Sequence, residues 1–392
     1  MVIFVGMISL PIYLDNSATT PPDPLVVDAM LPYLYKHYGN AASLQHSYGW
    51  AASEAVNVAR EQVAALIHAE PQEIVFTSGS TESINLAIKG CMEAYHRKGN
   101  HLITVSTEHK AVLDTCEHLE KQGVAVTYLS VDENGQIDLA ALENAIRPET
   151  VMMAIMYANN ETGIIQDIPA IGKIAKNNKV IFFCDATQAV GKVKVNVLED
   201  NIDMLSLSAH KIYGPKGVGA LYVRRKNPRV TLIEQMNGGG HERHMRSGTS
   251  NVPSIVGLGK ACELAIQKME EESLLLTKMR DQLEVAILEN IGNTHVNGIG
   301  LRLPHISNIS FMEPISSQLL SAFRSTLAVS AGSACTSASN DPSYVLMAMG
   351  LGEQRAKSAI RFSLGRFTTK EEIDFAIQFL LQTIPSLRME EF

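Results

Sequence analysis

The stretch SLSAHKIYGPKGVGA, residues 206–220, sets a basic side chain straight after an apolar run. Met204-Leu205-Ser206-Leu207 reads as one strand and Ala220-Leu221-Tyr222-Val223 as another. Between them Gly214, Pro215, Gly217 and Gly219 punctuate a tight connection that carries His210 and Lys211. A lysine at the end of a buried strand is costly unless it is paired or used chemically. Lys211 therefore reads as an amine offered from a constrained loop between two strands.

Upstream, the same strand-then-polar pattern repeats. EIVFT (73–77), HLITV (101–105), VAVTYL (124–129), VMMAIMY (151–157), VIFFC (180–184) and DMLSLS (203–208) are strand candidates, and 220–223 makes a seventh. Helical spacing follows the first run through Ile84, Ala87, Ile88, Cys91 and Tyr95, and recurs near 110–122, 138–146 and 168–178. Such alternation predicts an α/β fold, a mostly parallel sheet covered by helices on both faces. Ligands in such sheets bind beyond the carboxyl ends of the strands. Thr77-Ser78-Gly79, His109, Asn159-Asn160, Asp185 and Ser208-His210-Lys211 all follow apolar runs directly, so they are expected on one rim. Strand ends always feed polar loops, so any one of these groups has an ordinary explanation; their number favours a single site. Beyond about residue 255 the pattern changes to helix candidates at 254–272, 273–290 and 370–383 with short strands HISNISF (305–311) and AIRFSL (359–364), a smaller α+β unit.

The bulk composition narrows the partners. The chain has 392 residues, 46% hydrophobic and 19% charged, with a net charge of −8. No long basic run is present, which argues against nucleic acid. No apolar run reaches the length of a membrane span. The N-terminal MVIFVGMISLP is short and lacks a basic flank, so it is not read as a signal peptide. Cys91, Cys116, Cys184, Cys262 and Cys335 are scattered without a CxxC pair, which suits a reducing compartment and argues against a disulfide framework or structural zinc site. The expected location is the cytoplasm. Four of the cysteines sit among apolar residues and read as packing; Cys335 does not.

Two motifs carry chemistry. TSGSTES (77–83) joins a strand to a helix, where glycine and small hydroxyl residues let backbone N–H groups face an anion. The same residues also serve as plain helix caps, and the GKS/GKT ending of a P-loop is absent. FFCDATQAVG (182–191) sets Asp185 at the end of a very apolar strand, where a carboxylate needs a cation or strong donors, unless it only caps the next helix. Lys211, Asp185, a phosphate cradle and a parallel sheet together point to pyridoxal 5′-phosphate. The lysine forms its Schiff base, and the aspartate keeps the pyridine nitrogen protonated so the ring accepts electrons.

At this point the chain resembles the cysteine desulfurases, pyridoxal-phosphate enzymes of the class V aminotransferase group and fold type I, most closely their iron–sulfur-cluster branch. The resemblance runs through YLDNSATTP (13–21), IVFTSGSTES (74–83), TEHKAVLDTC (107–116), NNETGIIQDI (159–168), DATQAVGK (185–192) and SAHKIYGPKG (208–217). It continues through GGGHERHMRSGT (238–249), SAGSACTSAS (330–339) and IRFSLGRFTT (360–369), in family order over nearly the whole chain. It implies a large cofactor domain over 16–258 with a seven-stranded sheet, and a small domain from 1–15 and 259–392 that carries a mobile loop at about 328–342.

The resemblance also implies roles. Lys211 bears the cofactor, His109 stacks on its ring, Asp185 pairs with the ring nitrogen, and Gln188 and Asn160 contact the ring. Ser80, Thr81, Ser208 and His210 hold the phosphate, with Thr249 supplied by the neighbouring subunit of a homodimer. Arg361 grips the substrate α-carboxylate by two parallel hydrogen bonds, with Asn40 beside it. Cys335 lies among small residues with little capacity to pack, which predicts a mobile loop and a nucleophilic thiol. The implied reaction takes sulfur from L-cysteine, leaves L-alanine, and forms a persulfide on Cys335 for iron–sulfur assembly or tRNA thiolation. No resident metal is implied, although Cys335 is a candidate for transient ligation of an iron–sulfur cluster.

Several positions depart from the family pattern. Ala41 stands where proline is usual, Ala331 where serine is commoner, and Ser80 where alanine is frequent; Ser80 adds a candidate phosphate donor. The chain ends at PSLRMEEF, where that branch carries a further tail that docks its scaffold partner, so delivery of sulfur to a scaffold is left open. The rival readings are a class V aminotransferase, which has no need of a loop cysteine, a selenocysteine lyase, and a non-catalytic platform for sulfur transfer, which Lys211, Asp185 and Cys335 disfavour.

Overall fold

The computed structural model describes residues 8–331 and 341–389. Residues 332–340, and with them Cys335, lie outside the described residues, as do 1–7 and 390–392. Twelve strands are present among the described residues: β1 (Ile12–Tyr13), β2 (Ile74–Thr77), β3 (His101–Val105), β4 (Ala125–Leu129), β5 (Thr150–Ala154), β6 (Ile181–Asp185), β7 (Met204–Ser208), β8 (Gly219–Val223), β9 (His295–Val296), β10 (Ile306–Ser310), β11 (Leu327–Ala328) and β12 (Ala359–Ser363). Seven of them form one sheet in the order β2-β8-β7-β6-β5-β3-β4. Only β8 runs against its neighbours, pairing antiparallel with β2 and β7. The fold is the α/β arrangement expected, a mainly parallel seven-stranded sheet flanked by helices.

Continuous apolar strands are buried on both faces, and their two-residue period deals alternate side chains to two cores. Phe182, Cys184, Leu205, Leu207, Ile103 and Val105 face one core. Ile181, Phe183, Met204, Leu102, Met152 and Leu221 face the other. Burial of Phe182 and Phe183 stabilises by about 1.5–3 kcal/mol each. The first core is roofed by α2 (Ser47–Leu66), α6 (Ile168–Asn178) and the start of a long helix, Val252–Asn290. The second is roofed by α3 (Ser80–Ala94) and α4 (Lys110–Glu120). α1 (Pro24–Tyr35) packs on the long helix, and α5 (Leu139–Asn144) sits near α6.

The C-terminal part builds a three-stranded antiparallel sheet in the order β12-β10-β9, and β1 pairs parallel with β11. Ile12 and Leu14 join Leu276, Leu283, Ile309, Phe311, Ile360, Phe362 and Leu380 in a third core. The two helices expected at 254–272 and 273–290 are one helix over Val252–Asn290. No glycine or proline interrupts residues 260–290, so nothing breaks the helix there. Instead its buried face changes core: Val252 to Ala265 belong to the first, Leu276 to Ile287 to the third, and residues 266–275 bury no side chain. No described helix is long and apolar enough to cross a membrane.

Candidate active site

One cavity of about 490 Å³ opens at the carboxyl ends of the parallel strands. Ser80, Thr81, His109, Asn160, Asp185, Gln188, Ser208, His210, Lys211 and Arg361 all line it. Ten of the residues singled out in the sequence therefore converge. Asn40 does not: it is exposed, and its Oδ1 accepts from Ala42 N at 2.9 Å. Thr249 is likewise exposed and away from this cavity, its assigned role being in that of a neighbouring subunit.

Strand period and register explain how Asp185 is held. Asp185 ends β6 and pairs with Ser206 of β7, so both side chains leave the sheet on the same face, under α3. Ser206 Oγ donates to Asp185 Oδ1 at 2.9 Å, and Thr187 donates its backbone N–H to the same oxygen at 3.1 Å. Thr187 Oγ1 donates to Oδ1 as well, and Ser80 Oγ lies 3.5 Å away. Oδ1 thus collects every donor, and no described group bonds Oδ2. Asp185 is 7% exposed, and that exposure is toward the cavity. Ser80, expected to serve a phosphate, also places its hydroxyl against Thr187 Oγ1 and 3.3 Å from Ser206 Oγ, while its backbone opens α3.

The start of α3 supplies an anion site. Gly79 precedes it with φ 151° and ψ −179°, a conformation that favours glycine. The first N–H groups of the helix therefore turn toward the cavity without an intrahelical partner. Gly219 lets β8 approach: a Cβ there would stand 2.8 Å from Gly79 Cα.

Lys211 ends a short 3₁₀ turn, Ala209–Lys211, directly after β7. Its Nζ donates to the carbonyl oxygens of Ala18 (2.7 Å) and Ser17. The segment preceding α1 thus holds the amine at the cavity wall, and Gln188 Nε2 donates to the Ser17 carbonyl too, at 3.0 Å. His210 pairs through Nδ1 with Thr19 Oγ1 at 3.2 Å. Burial, together with the charges of Lys211 and Lys216, pulls the His210 imidazole down to about 4, so it is neutral near pH 7. His109 caps α4, its Nδ1 accepting from Ala111 N at 3.1 Å, which leaves the proton on Nε2. Burial lowers its pKa, and nearby Lys211 adds to the effect while Asp185 opposes it. Next to it Glu108 is fully buried and accepts from Met156 N at 2.6 Å; burial pushes its carboxyl far up, with Asp185 adding to the shift.

Arg361 comes from the small sheet. On β12 the side chains of Ile360 and Phe362 enter the third core, so Arg361 emerges on the opposite face, toward the cavity. It is 1% exposed. Nη1 donates to Asn160 O at 2.8 Å and Nη2 to Asp15 Oδ1 at 2.7 Å.

These residues fit pyridoxal phosphate. A lysine amine, a carboxylate with one bare oxygen, a helix N-terminus and a neutral imidazole line one cavity, and Asn160 Oδ1 is buried with no partner among the described residues. Sequence reasoning missed Asp15, Thr187, Ser206 and Glu108. Thr187, two residues after Asp185, has the spacing of an Asx turn, and Ser206 alternates with Ser208; both signals were present. Asp15 had none, because its partner lies 346 residues away.

Fold and site together define a fold type I pyridoxal-phosphate enzyme. The family model "Aminotransferase class-V" matches residues 12–375. The cysteine desulfurase IscS of Anaeromyxobacter dehalogenans (strain 2CP-C) is 52% identical over 380 residues, covering 97% of this chain and 94% of that protein. The same-named protein of Dechloromonas aromatica (strain RCB) is 54% identical over 381 residues, covering 97% and 93%. A solved NifS-like protein superposes with TM-score 0.89 at 35% identity, covering 96% of this chain and all of that one. A structure of SspA in complex with cysteine gives 0.79 at 39%, covering 91% and 99%. The chain belongs to the class-V aminotransferase family, within its cysteine desulfurase group.

Proposed function

We propose that this chain removes sulfur from L-cysteine, leaving L-alanine and a persulfide on Cys335 for onward transfer to iron–sulfur assembly or tRNA thiolation. The observation that carries this reading is the convergence of Lys211, the bare Asp185 Oδ2 and the α3 N-terminus on one cavity, in a chain more than half identical to proteins named cysteine desulfurase. When bound, pyridoxal phosphate supplies an electron sink for the Cα carbanion. Lys211 would carry it covalently, Asp185 would face its ring nitrogen, His109 its ring, and Gln188 and Asn160 its edge. Ser80, Thr81, Ser208 and His210 would hold the phosphate, with Thr249 reaching across from a second copy.

The chain's own groups divide the work. Arg361 fixes the α-carboxylate. The Lys211 amine moves the Cα proton, steadied by the Ser17 and Ala18 carbonyls. Cys335 thiolate bonds to the substrate sulfur as the Cβ–S bond breaks, and Cβ then takes a proton to give alanine. Burial pushes the thiols of Cys91 and Cys116 up to about 12 and those of Cys184 and Cys262 up as well, which makes all four poor nucleophiles near neutrality. This supports Cys335 in the nucleophilic role.

The working form is a homodimer in the cytoplasm. Leu31, Leu34, Tyr35, Tyr38, Tyr48 and Trp50 form an exposed apolar face along α1 and the start of α2, which supports pairing with a second copy. The test is Cys335→Ala. It is expected to form no protein persulfide and to lower alanine production from cysteine by about a hundredfold or more. Undiminished sulfide and alanine release would contradict the proposal.

A further inference from the structure

The Arg361 guanidinium is buried, and Asp15 is its counter-charge. The ion pair is between Nη2 and Asp15 Oδ1, at 2.7 Å. Nη1 is occupied by the Asn160 carbonyl, and Nε is buried with no hydrogen-bond partner among the described residues. Both ends of the pair are fixed by backbone. Arg361 N donates to Ser330 O at 2.6 Å, and Asp15 bridges to Ser363, two residues further along β12. A buried guanidinium with no counter-ion is strongly unfavourable, whereas one already neutralised binds a further anion less tightly. Before substrate arrives, Arg361 and Asp15 sum to zero charge. An amino-acid carboxylate drawn to Arg361 must approach against the negative charge of Asp15.

We propose that Asp15 is a positioning residue that sets the strength of the carboxylate site. It holds the guanidinium by Nη2 at the cavity wall and offsets enough positive charge for the alanine product to leave. The inference rests on the reading of Arg361 as the carboxylate-binding group. It predicts that removing the Asp15 charge tightens binding, an outcome that mere structural damage does not produce.

The experiment titrates holoenzyme with sodium propionate, which has the carboxylate but no amine, and with L-alanine, using calorimetry. Asp15→Asn keeps an acceptor of the same size for Nη2. It is expected to lower the dissociation constant of both ligands about tenfold and to strengthen product inhibition by L-alanine in step. Unchanged or weaker binding in this variant overturns the proposal. Should Asp15→Asn fail to fold, Asp15→Ser, which also removes the charge, gives the same reading. Arg361→Lys in the same titration separates the two claims. If it leaves propionate binding unchanged, the reading of Arg361 itself fails. If it weakens binding tenfold or more while Asp15→Asn has no effect, only the inference about Asp15 fails.

Discussion

The two oxygens of Asp185 have different surroundings. Oδ1 takes donors from Ser206 and Thr187, and Oδ2 takes none among the described residues. Charge-assisted hydrogen bonds of this kind are each worth about 1.5–3 kcal/mol. They fix the orientation of the carboxylate that a cationic ring nitrogen would face. Thr187→Ala removes one such donor and keeps the fold. The expected result is a rise of about tenfold or more in the cofactor dissociation constant, read by titrating apoprotein with pyridoxal phosphate. Affinity equal to that of the parent would show that the hydroxyl does not support the site. Asp185 was legible in the sequence because a charged residue ends a run of aromatic and apolar ones. Asp15 was not, because its meaning depends on a strand more than three hundred residues later, and no local pattern encodes that pairing.

The strands were the most legible elements. Long apolar runs with polar ends predicted both the parallel sheet and the rim on which the site lies. Their period of two then decides which residues meet: Asp185 with Ser206, and Arg361 with the cavity rather than the third core. The long helix was less legible, since a charged, exposed middle resembles a break when only burial changes. α3 shows what a turn contributes. At Gly79 an added Cβ would meet only Ser208 Oγ, at 3.8 Å, an ordinary contact. The cost of Gly79→Ala is therefore backbone strain at φ 151°, about 1–3 kcal/mol. A lower apoprotein melting temperature and weaker phosphate binding are expected from this substitution. A melting temperature and phosphate affinity equal to the parent's would show that the turn is not strained by a side chain.

At the scale of the molecule, two bodies of structure meet over the cavity. The seven-stranded sheet brings Asp185, His109 and Lys211, and the small sheet brings Arg361. β1 lies with the C-terminal core although it begins the described chain. We propose, on that basis, the division into 16–258 and the pair 1–15 with 259–392, joined by the long helix. The sequence carried the first body in its periodicity and most of the second only through family motifs, because short strands and a pairing between distant ends leave little local signal. The central claim is that Lys211 bears the cofactor at this junction. Borohydride reduction of the holoenzyme followed by peptide mapping tests it directly. The pyridoxyl label is expected on the peptide containing Lys211 and to be lost in Lys211→Ala. A label on any other lysine would contradict the account.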